Sequence, residues 1–347
     1  MSGEPKVLIL LPQVPFVRGG VERLADELCR RLLDRGVRTD VVMIPFRWEP
    51  KEVVIGEALA WRLLDLEADL VIPLKFPAYF VNHPHKVPWL AHQFRQLYDF
   101  HGTELSAFAD TPPDHALRER LVEMDNLCLG ESKAMYTISR NVSSRLQKFN
   151  GLDSTPMPVP PMNAERLKCI GYGDFLLAVG RLEANKRFDL LLQAVALVKG
   201  DFEVKIAGEG SQEENLKALA AELGVGDRVR FLGAVDDDTL VSLYNNCRAV
   251  HYAPLDEDYG LVAAEAMSAS KPVITATDSG GPLELVSDGE NGLVAAPEPQ
   301  AQAEAIARVM GDLGLCLKLG ERGKETAGVI AWDPILNELL QWAGDLP

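Results

Sequence analysis

Residues Ala253–Thr275 read APLDEDYGLVAAEAMSASKPVIT. Pro254 closes an apolar run, and Asp256, Glu257 and Asp258 form a short acidic loop. Gly260 opens an Ala-rich segment that Lys271-Pro272 ends, and Val273-Ile274-Thr275 follows as a β-branched run. The pattern is strand, loop, helix, strand. Glu265 falls about a turn and a half into the helix, among Val262, Ala263, Ala264, Ala266 and Met267. A carboxylate in such company is costly to bury unless something donates hydrogen bonds to it. Helical side chains lean towards the N-terminus, so Glu265 is aimed back at the loop that carries Glu257. That N-terminus also presents free N–H groups and the positive end of the helix dipole, a ready place for a phosphate. One locus thus offers two carboxylates for sugar hydroxyls and a cradle for an anion. The plainer alternative is a solvated loop charge and a helix charge.

A length of 347 residues suggests two domains, and 47% hydrophobic with 25% charged residues is a globular composition. No apolar run is long enough to span a bilayer, and MSGEPKVLIL lacks a secretory pattern. The five cysteines are scattered and odd in number, which reads as reduced thiols in a cytoplasmic protein. Residues 1–160 hold 19 Lys+Arg against 21 Asp+Glu, a balance of −2, leaving 16 against 30, or −14, for 161–347. An acidic second half argues against nucleic acid as a partner, and no basic amphipathic helix marks firm membrane attachment. At most weak peripheral contact with the inner face of a membrane is expected.

The chain order is that of an α/β protein with doubly wound, Rossmann-like halves. Lys6–Leu11 is a continuous apolar strand, Pro12–Gly20 a loop ending in Gly19-Gly20, and a helix from Val21 follows, then the strand Thr39–Ile44. A helix over Ile55–Leu66 and a strand over Ala68–Pro73 come next. The stretch from Lys75 to Gly102 is rich in aromatics and contains His83, His85, His92 and His101, without a zinc-ligand spacing. Val87–Ala91 reads as a strand that delivers His92. Pro112–Leu129 is helical, Ala134–Ser139 is a strand, and a helix capped by Ser139 or Asn141 follows. Gly151–Pro161 holds four prolines and reads as the linker. The domains expected are therefore 1–160 and 161–332, with a last helix, about 333–347, packing back on the first. In the second half, Phe175–Val179 is a strand that ends at Gly180-Arg181-Leu182, with Lys186 just before a leucine-rich helix. Glu203–Ala207 ends in the permissive turn Gly208-Glu209-Gly210. Val229–Gly233 and Ala249–Ala253 are strands; helices are expected over Glu213–Leu223, Leu240–Cys247 and Ala301–Leu313. Asp236-Asp237-Asp238 caps a helix rather than holding a metal.

Glu257 and Glu265 with seven residues between them, the following Lys-Pro-Val-Ile, the GRL-three-K run at Arg181 and Lys186, and the GGVER turn together resemble the retaining nucleotide-sugar glycosyltransferases of family four. The resemblance covers nearly the whole chain and is strongest from Phe175 to Val294. It implies the GT-B architecture, two Rossmann-like domains facing across a cleft. It also implies transfer of a hexose from a nucleoside diphosphate sugar (UDP or GDP) to a saccharide or lipid-linked hydroxyl acceptor, with retained anomeric configuration and no metal or other cofactor. Carried onto this sequence, Arg181 and Lys186 clamp the diphosphate, Glu257 meets the donor sugar and Glu265 holds the ribose. His92 bonds the sugar, unless it is an ordinary core histidine. Gly19, Gly20, Gly208, Gly210, Tyr259, Gly260, Leu261 and Val262 complete the donor contacts. Two other readings remain open: a nucleotide-sugar-binding subunit without turnover, and a sugar-nucleotide epimerase.

Overall fold

The computed structural model describes residues 4–343. They divide into two compact units. One is drawn from the chain up to Val159 together with the stretch from Ala331 onward; the other is Pro160–Ile330.

The first unit opens with β1 (Lys6–Gln13), whose Val7, Ile9, Leu10 and Leu11 are wholly buried, as expected of a strand covered on both faces. α1 (Gly20–Asp34), β2 (Arg38–Pro45), α2 (Val54–Arg62) and β3 (Leu70–Pro73) follow, and β1 lies parallel between β2 and β3. β4 (Trp89–Leu90), α3 (Pro112–Gly130), β5 (Tyr136–Thr137), α4 (Arg140–Asn150) and β6 (Thr155–Pro156) build a second parallel set in the order β4-β5-β6. Of the two candidate caps for α4 it is Ser139 whose side chain accepts from the Val142 amide. The proline-rich span Gly151–Pro161 contains the boundary between the two units, at Val159 and Pro160, and is itself partly ordered. It contains β6, and the Met157 carbonyl accepts from the Trp89 indole N–H at 2.9 Å. Prolines are tolerated there because β6 is an edge strand.

The second unit carries one six-stranded parallel sheet. Its elements are β7 (Phe175–Val179), α5 (Phe188–Leu197), β8 (Glu203–Ala207), α6 (Glu213–Glu222), β9 (Val229–Phe231), α7 (Asp237–Asn246), β10 (Ala249–His251), α8 (Leu261–Ser268), β11 (Val273–Ala276), β12 (Gly292–Ala295), α9 (Pro299–Gly311) and α10 (Leu313–Gly328). The strand order is β12-β11-β10-β7-β8-β9. Asp236 caps α7, its side chain accepting from the Thr239 amide at 2.8 Å. The helix expected over Ala301–Leu313 ends at Gly311, and α10 is an additional element that the sequence reading did not contain.

α11 (Trp332–Leu340) belongs to the first unit. Trp332 meets Trp89 edge-on with ring centroids 6.2 Å apart. The Tyr136 hydroxyl donates to Glu338 at 2.6 Å and accepts from the Trp342 indole at 3.0 Å. Of the last helix expected over about 333–347, residues 344–347 lie outside the described residues.

One buried group sets an acid limit. His251 on β10 is 4% exposed and bonds Gln302 at 3.0 Å, and burial pushes its pKa down to about 4. An unfolded histidine titrates near 6.5, so below that pH the unfolded chain takes up a proton that the folded chain refuses. The stability this site contributes is whole above about pH 6.5 and falls as pH drops towards 4. His251→Gln should therefore remove about 2 kcal/mol of the stability lost between pH 7 and 5, read as a smaller shift of the urea midpoint over that range.

Candidate functional site

In the second unit the sheet order reverses between β7 and β10: the chain leaves β7 for β8 on one side and β10 for β11 on the other. Loops after such strands splay apart and leave a crevice at the carboxyl edge, where open α/β sheets take their ligands. Arg181 stands in the first of these loops and Glu257 in the second.

The first loop is fixed by close backbone approach. A Cβ on Gly208 would lie 1.9 Å from the Gly180 carbonyl oxygen, and one on Gly210 would lie 2.5 Å from that of Leu182. The Gly180 amide donates to Ala207 at 3.1 Å and the Leu182 amide to Glu209 at 2.8 Å. The turn after β8 thus grips the main chain on both sides of Arg181. The Arg181 side chain is exposed and has no ion-pair or hydrogen-bond partner among the described residues.

Lys186 ends a short 3-10 turn, Ala184–Lys186, and its ammonium pairs with Glu257 Oε2, the two side chains being 12% and 15% exposed. The sequence reading assigned these two groups to opposite ends of one ligand, whereas here they hold each other. Lys186 Nζ also lies 6.0 Å from the centroid of the Tyr252 ring. Tyr252, just past β10, is buried. Burial first, then the carboxylates of Glu257, Asp258 and Glu265, push its pKa far above the ordinary phenol value. Tyr252 therefore lies in the field of both glutamates of the opening motif, a feature the sequence reading missed.

Glu265 is 4% exposed, and its Oε2 accepts from the Tyr244 hydroxyl of α7 at 2.9 Å, the kind of donor a buried carboxylate requires. The loop before α8 is held from below. The Glu257 amide donates to Ser279, and the Gly281 amide to Glu257, each at 2.7 Å. A Cβ on Gly281 would stand 2.4 Å from the Tyr259 Cα, so that loop sits directly on Tyr259. Gly260 caps α8 at φ +114°, and its carbonyl takes the amides of Ala263 and Ala264. The amides of Leu261 and Val262 precede that ladder at the helix N-terminus, the position from which N–H groups reach an anion.

Gly19, Gly20 and His92 belong to the first unit. Gly19 is the N-cap of α1 and Gly20 its first residue. The Gly19 amide is already engaged, donating to Glu22 Oε2 at 2.8 Å, while Lys75 Nζ donates to Glu22 Oε1 at 2.7 Å. Burial opposes ionisation of Glu22, but the Lys75 ammonium and the Gly19 N–H outweigh it and hold the carboxyl below its usual range. A parallel bridge sets Lys75 beside His92, two residues past β4, so the expected strand over Val87–Ala91 is shorter but does deliver the histidine. The half-buried His92 ring engages the Gln93 carbonyl through Nδ1 at 2.7 Å. A carbonyl only accepts, so Nδ1 carries the proton in the neutral ring. Glu22 and Lys75 were also missed; the only trace in the sequence is a glutamate three residues after a glycine N-cap.

The family described as "Glycosyl transferases group 1" matches residues 171–326, the part that holds this crevice. The lipopolysaccharide core biosynthesis glycosyltransferase LpsE of Rhizobium meliloti is 34% identical over 95% of this chain and 97% of its own. A D-inositol 3-phosphate glycosyltransferase of Mycolicibacterium gilvum is 36% identical over 99% of this chain and 85% of its own. The chain belongs to the group 1 glycosyltransferases. Among solved structures, the Anabaena protein HepE, crystallised with UDP and glucose, superposes with a TM-score of 0.73 at 18% identity over 97% of this chain and 100% of that one. Such likenesses give this group 1 glycosyltransferase the GT-B fold of two Rossmann-like domains.

The grip on Arg181 is testable. Gly208→Ala should lose about 3 kcal/mol of stability, because the methyl meets backbone rather than a flexible side-chain end and the residue sits at φ +140°. Gly226→Ala, in open space, should leave the thermal midpoint within a degree or two.

Proposed function

We propose that this glycosyltransferase moves a hexose from a nucleoside diphosphate sugar, UDP- or GDP-linked, to a hydroxyl of a saccharide or lipid-linked acceptor. The anomeric configuration is retained, no metal is required, and the setting is glycan or polysaccharide biosynthesis at the cytoplasmic side. The observation that carries this reading is the Lys186–Glu257 pair with Tyr252 against Lys186, on the loops at the reversal of strand order where Arg181 also stands, followed by the helix that buries Glu265. The clustering of opposite charges suits a ligand that is anionic at one end and rich in hydroxyls at the other.

On donor binding, Lys186 exchanges Glu257 for a phosphate oxygen, and Glu257 is released to accept from a sugar hydroxyl. Arg181 offers a planar fork to two phosphate oxygens, where Lys186 offers a point charge. As the bond from the anomeric carbon to the diphosphate oxygen breaks, negative charge grows on the leaving group. Arg181, Lys186 and the Leu261 and Val262 amides are set to stabilise it. Glu265 accepts the ribose hydroxyls. For His92 and the Gly19-Gly20 turn, in the first unit, the donor-contact roles rest on the family resemblance, the His92 Nδ1 and the Gly19 amide being engaged with Gln93 and Glu22. Neither glutamate is assigned as a covalent nucleophile.

A panel of UDP-, GDP- and ADP-sugars tests the reading. The true donor, at 100 times its dissociation constant, should stabilise the protein by roughly 2.7 kcal/mol in a thermal-shift assay and should be hydrolysed slowly or transferred. Arg181→Ala should lower kcat by about 100-fold or more. NMR of the product should show the anomeric configuration of the donor, and a chelator should leave the rate unchanged. Binding without turnover would favour a non-catalytic subunit, and release of an epimeric sugar nucleotide would favour an epimerase. Arg181→Ala and Lys186→Ala variants that bind donor like the parent would remove the clamp assignment.

A further inference from the structure

Arg187, immediately after Lys186, is a long-chain residue held in the left-handed region, φ +53° and ψ 44°, as the N-cap of α5. Glycine adopts that conformation freely, whereas an arginine is strained there by about 1 kcal/mol. Its side chain is used almost to capacity. Nε donates to the Ala253 carbonyl at 2.9 Å and Nη2 to that of Pro254 at 2.7 Å. Nη1 and Nη2 form a fork on the two carboxylate oxygens of Asp278 at 2.9 and 2.7 Å. Arg187 is 16% exposed and Asp278 38%, so the fork is largely withdrawn from water.

These contacts join three loops at the carboxyl edge of the sheet: the one after β7, the one after β10 that leads to Glu257, and the one after β11. The backbone follows the same seam. The Leu255 amide donates to Asn185 at 2.8 Å, and the Asp256 amide to the Asp278 carbonyl at 2.9 Å, with Asp256 itself at φ +42°. Lys186 and Arg187 therefore act from adjacent positions on the same neighbouring loop, one on Glu257 and the other on the two residues where that loop begins. If a donor phosphate draws Lys186 away from Glu257, that tie between the loops is given up at the moment when Glu257 must stay in place. The Arg187 fork does not depend on it.

We propose that Arg187 is a positioning residue for the transfer step: its fork on Asp278 and on the Ala253 and Pro254 carbonyls holds the Glu257 loop in register after Lys186 turns to the donor. This rests on the donor reading given above. A guanidinium is required, because its planar fork meets both oxygens of Asp278 while Nε and Nη2 reach the two carbonyls, a spread of fixed donors that the compact ammonium of a lysine does not reproduce. The arrangement touches Glu257 and Lys186 through the main chain and touches no donor atom itself.

The test uses the full chain, the donor that the panel identifies, and Arg187→Gly, which suits the left-handed backbone and so deletes the fork without adding strain. The kcat should fall by about 100-fold while the donor KM stays within about threefold. Millimolar guanidinium should restore kcat at least about tenfold. Arg187→Lys should be as slow, and Asp278→Asn combined with Arg187→Gly should abolish the rescue. Independently of turnover, amide hydrogen exchange at Leu255–Glu257 should quicken about tenfold in Arg187→Gly. A glycine variant that keeps kcat within threefold, one that guanidinium fails to restore, or unchanged exchange over Leu255–Glu257 would each overturn the proposal. Should the parent chain turn over no donor, the transferase reading fails and the exchange experiment alone decides the role of the fork.

Discussion

Lys186 and Glu257 are two opposite charges, each less than one-sixth exposed, meeting where the sheet order reverses. Withdrawing both from water is expensive, and their attraction offsets the cost only while both remain in place. Each then becomes the other's substitute for a ligand: the ammonium stands in for a donor of hydrogen bonds to Glu257, and the carboxylate for an anion at Lys186. The rest of the second unit keeps these groups from drifting apart. The Gly208–Gly210 turn fixes the loop on one side, and Gly281 under Tyr259 fixes the loop on the other. Tyr252 lies buried with its ring 6.0 Å from the Lys186 ammonium.

The acidity of this half of the chain gives the few cations their weight. With a balance of −14 over residues 161–347, the general field repels a diphosphate. On the function proposed above, recognition has to come from groups within hydrogen-bond reach, and many basic side chains here are already committed to carboxylates, such as Arg166 to Asp238 and Arg230 to Glu203. Arg181 is different: it is held by its backbone, and its tip has no ion-pair or hydrogen-bond partner among the described residues. The helix N-terminus at Leu261 adds positive potential without adding a side chain.

Local patterning made much of this legible. β1, β7 and the α8 region are continuous apolar runs with clear stops, and Glu265 was conspicuous because its neighbours are all apolar. What escaped is what depends on distant partners. α10 reads LGLCLKLGERGKETAG, and four glycines in sixteen residues mask a helix. Two of them have a packing reason: a Cβ on Gly320 would lie 2.1 Å from the Ser270 carbonyl, and one on Gly323 3.1 Å from the Met267 side chain, so α10 approaches the α8 end closely. Lys75 and Glu22 are 53 positions apart, beyond any periodicity. Tyr252 looked like one more apolar residue of a strand, and Arg187 occupies a left-handed position where a glycine would have announced a turn. The prolines of 151–161 mark the boundary between the units, and the edge strand β6 that also lies there was not legible in them.

α11 comes last in the chain but belongs to the unit that comes first, so the whole of Pro160–Ile330 is an insertion within it. Trp332 against Trp89, the contacts of Glu338 and Trp342 with Tyr136, and the Arg35 guanidinium on Asn337 at 2.6 Å all wait on residues that follow the inserted unit. On the ribosome, the inserted unit has its complete sheet and helices before its host does. The Trp89 and Tyr136 side chains of β4 and β5 therefore stay uncovered in the meantime, and transiently exposed apolar surface of that kind favours aggregation until α11 arrives.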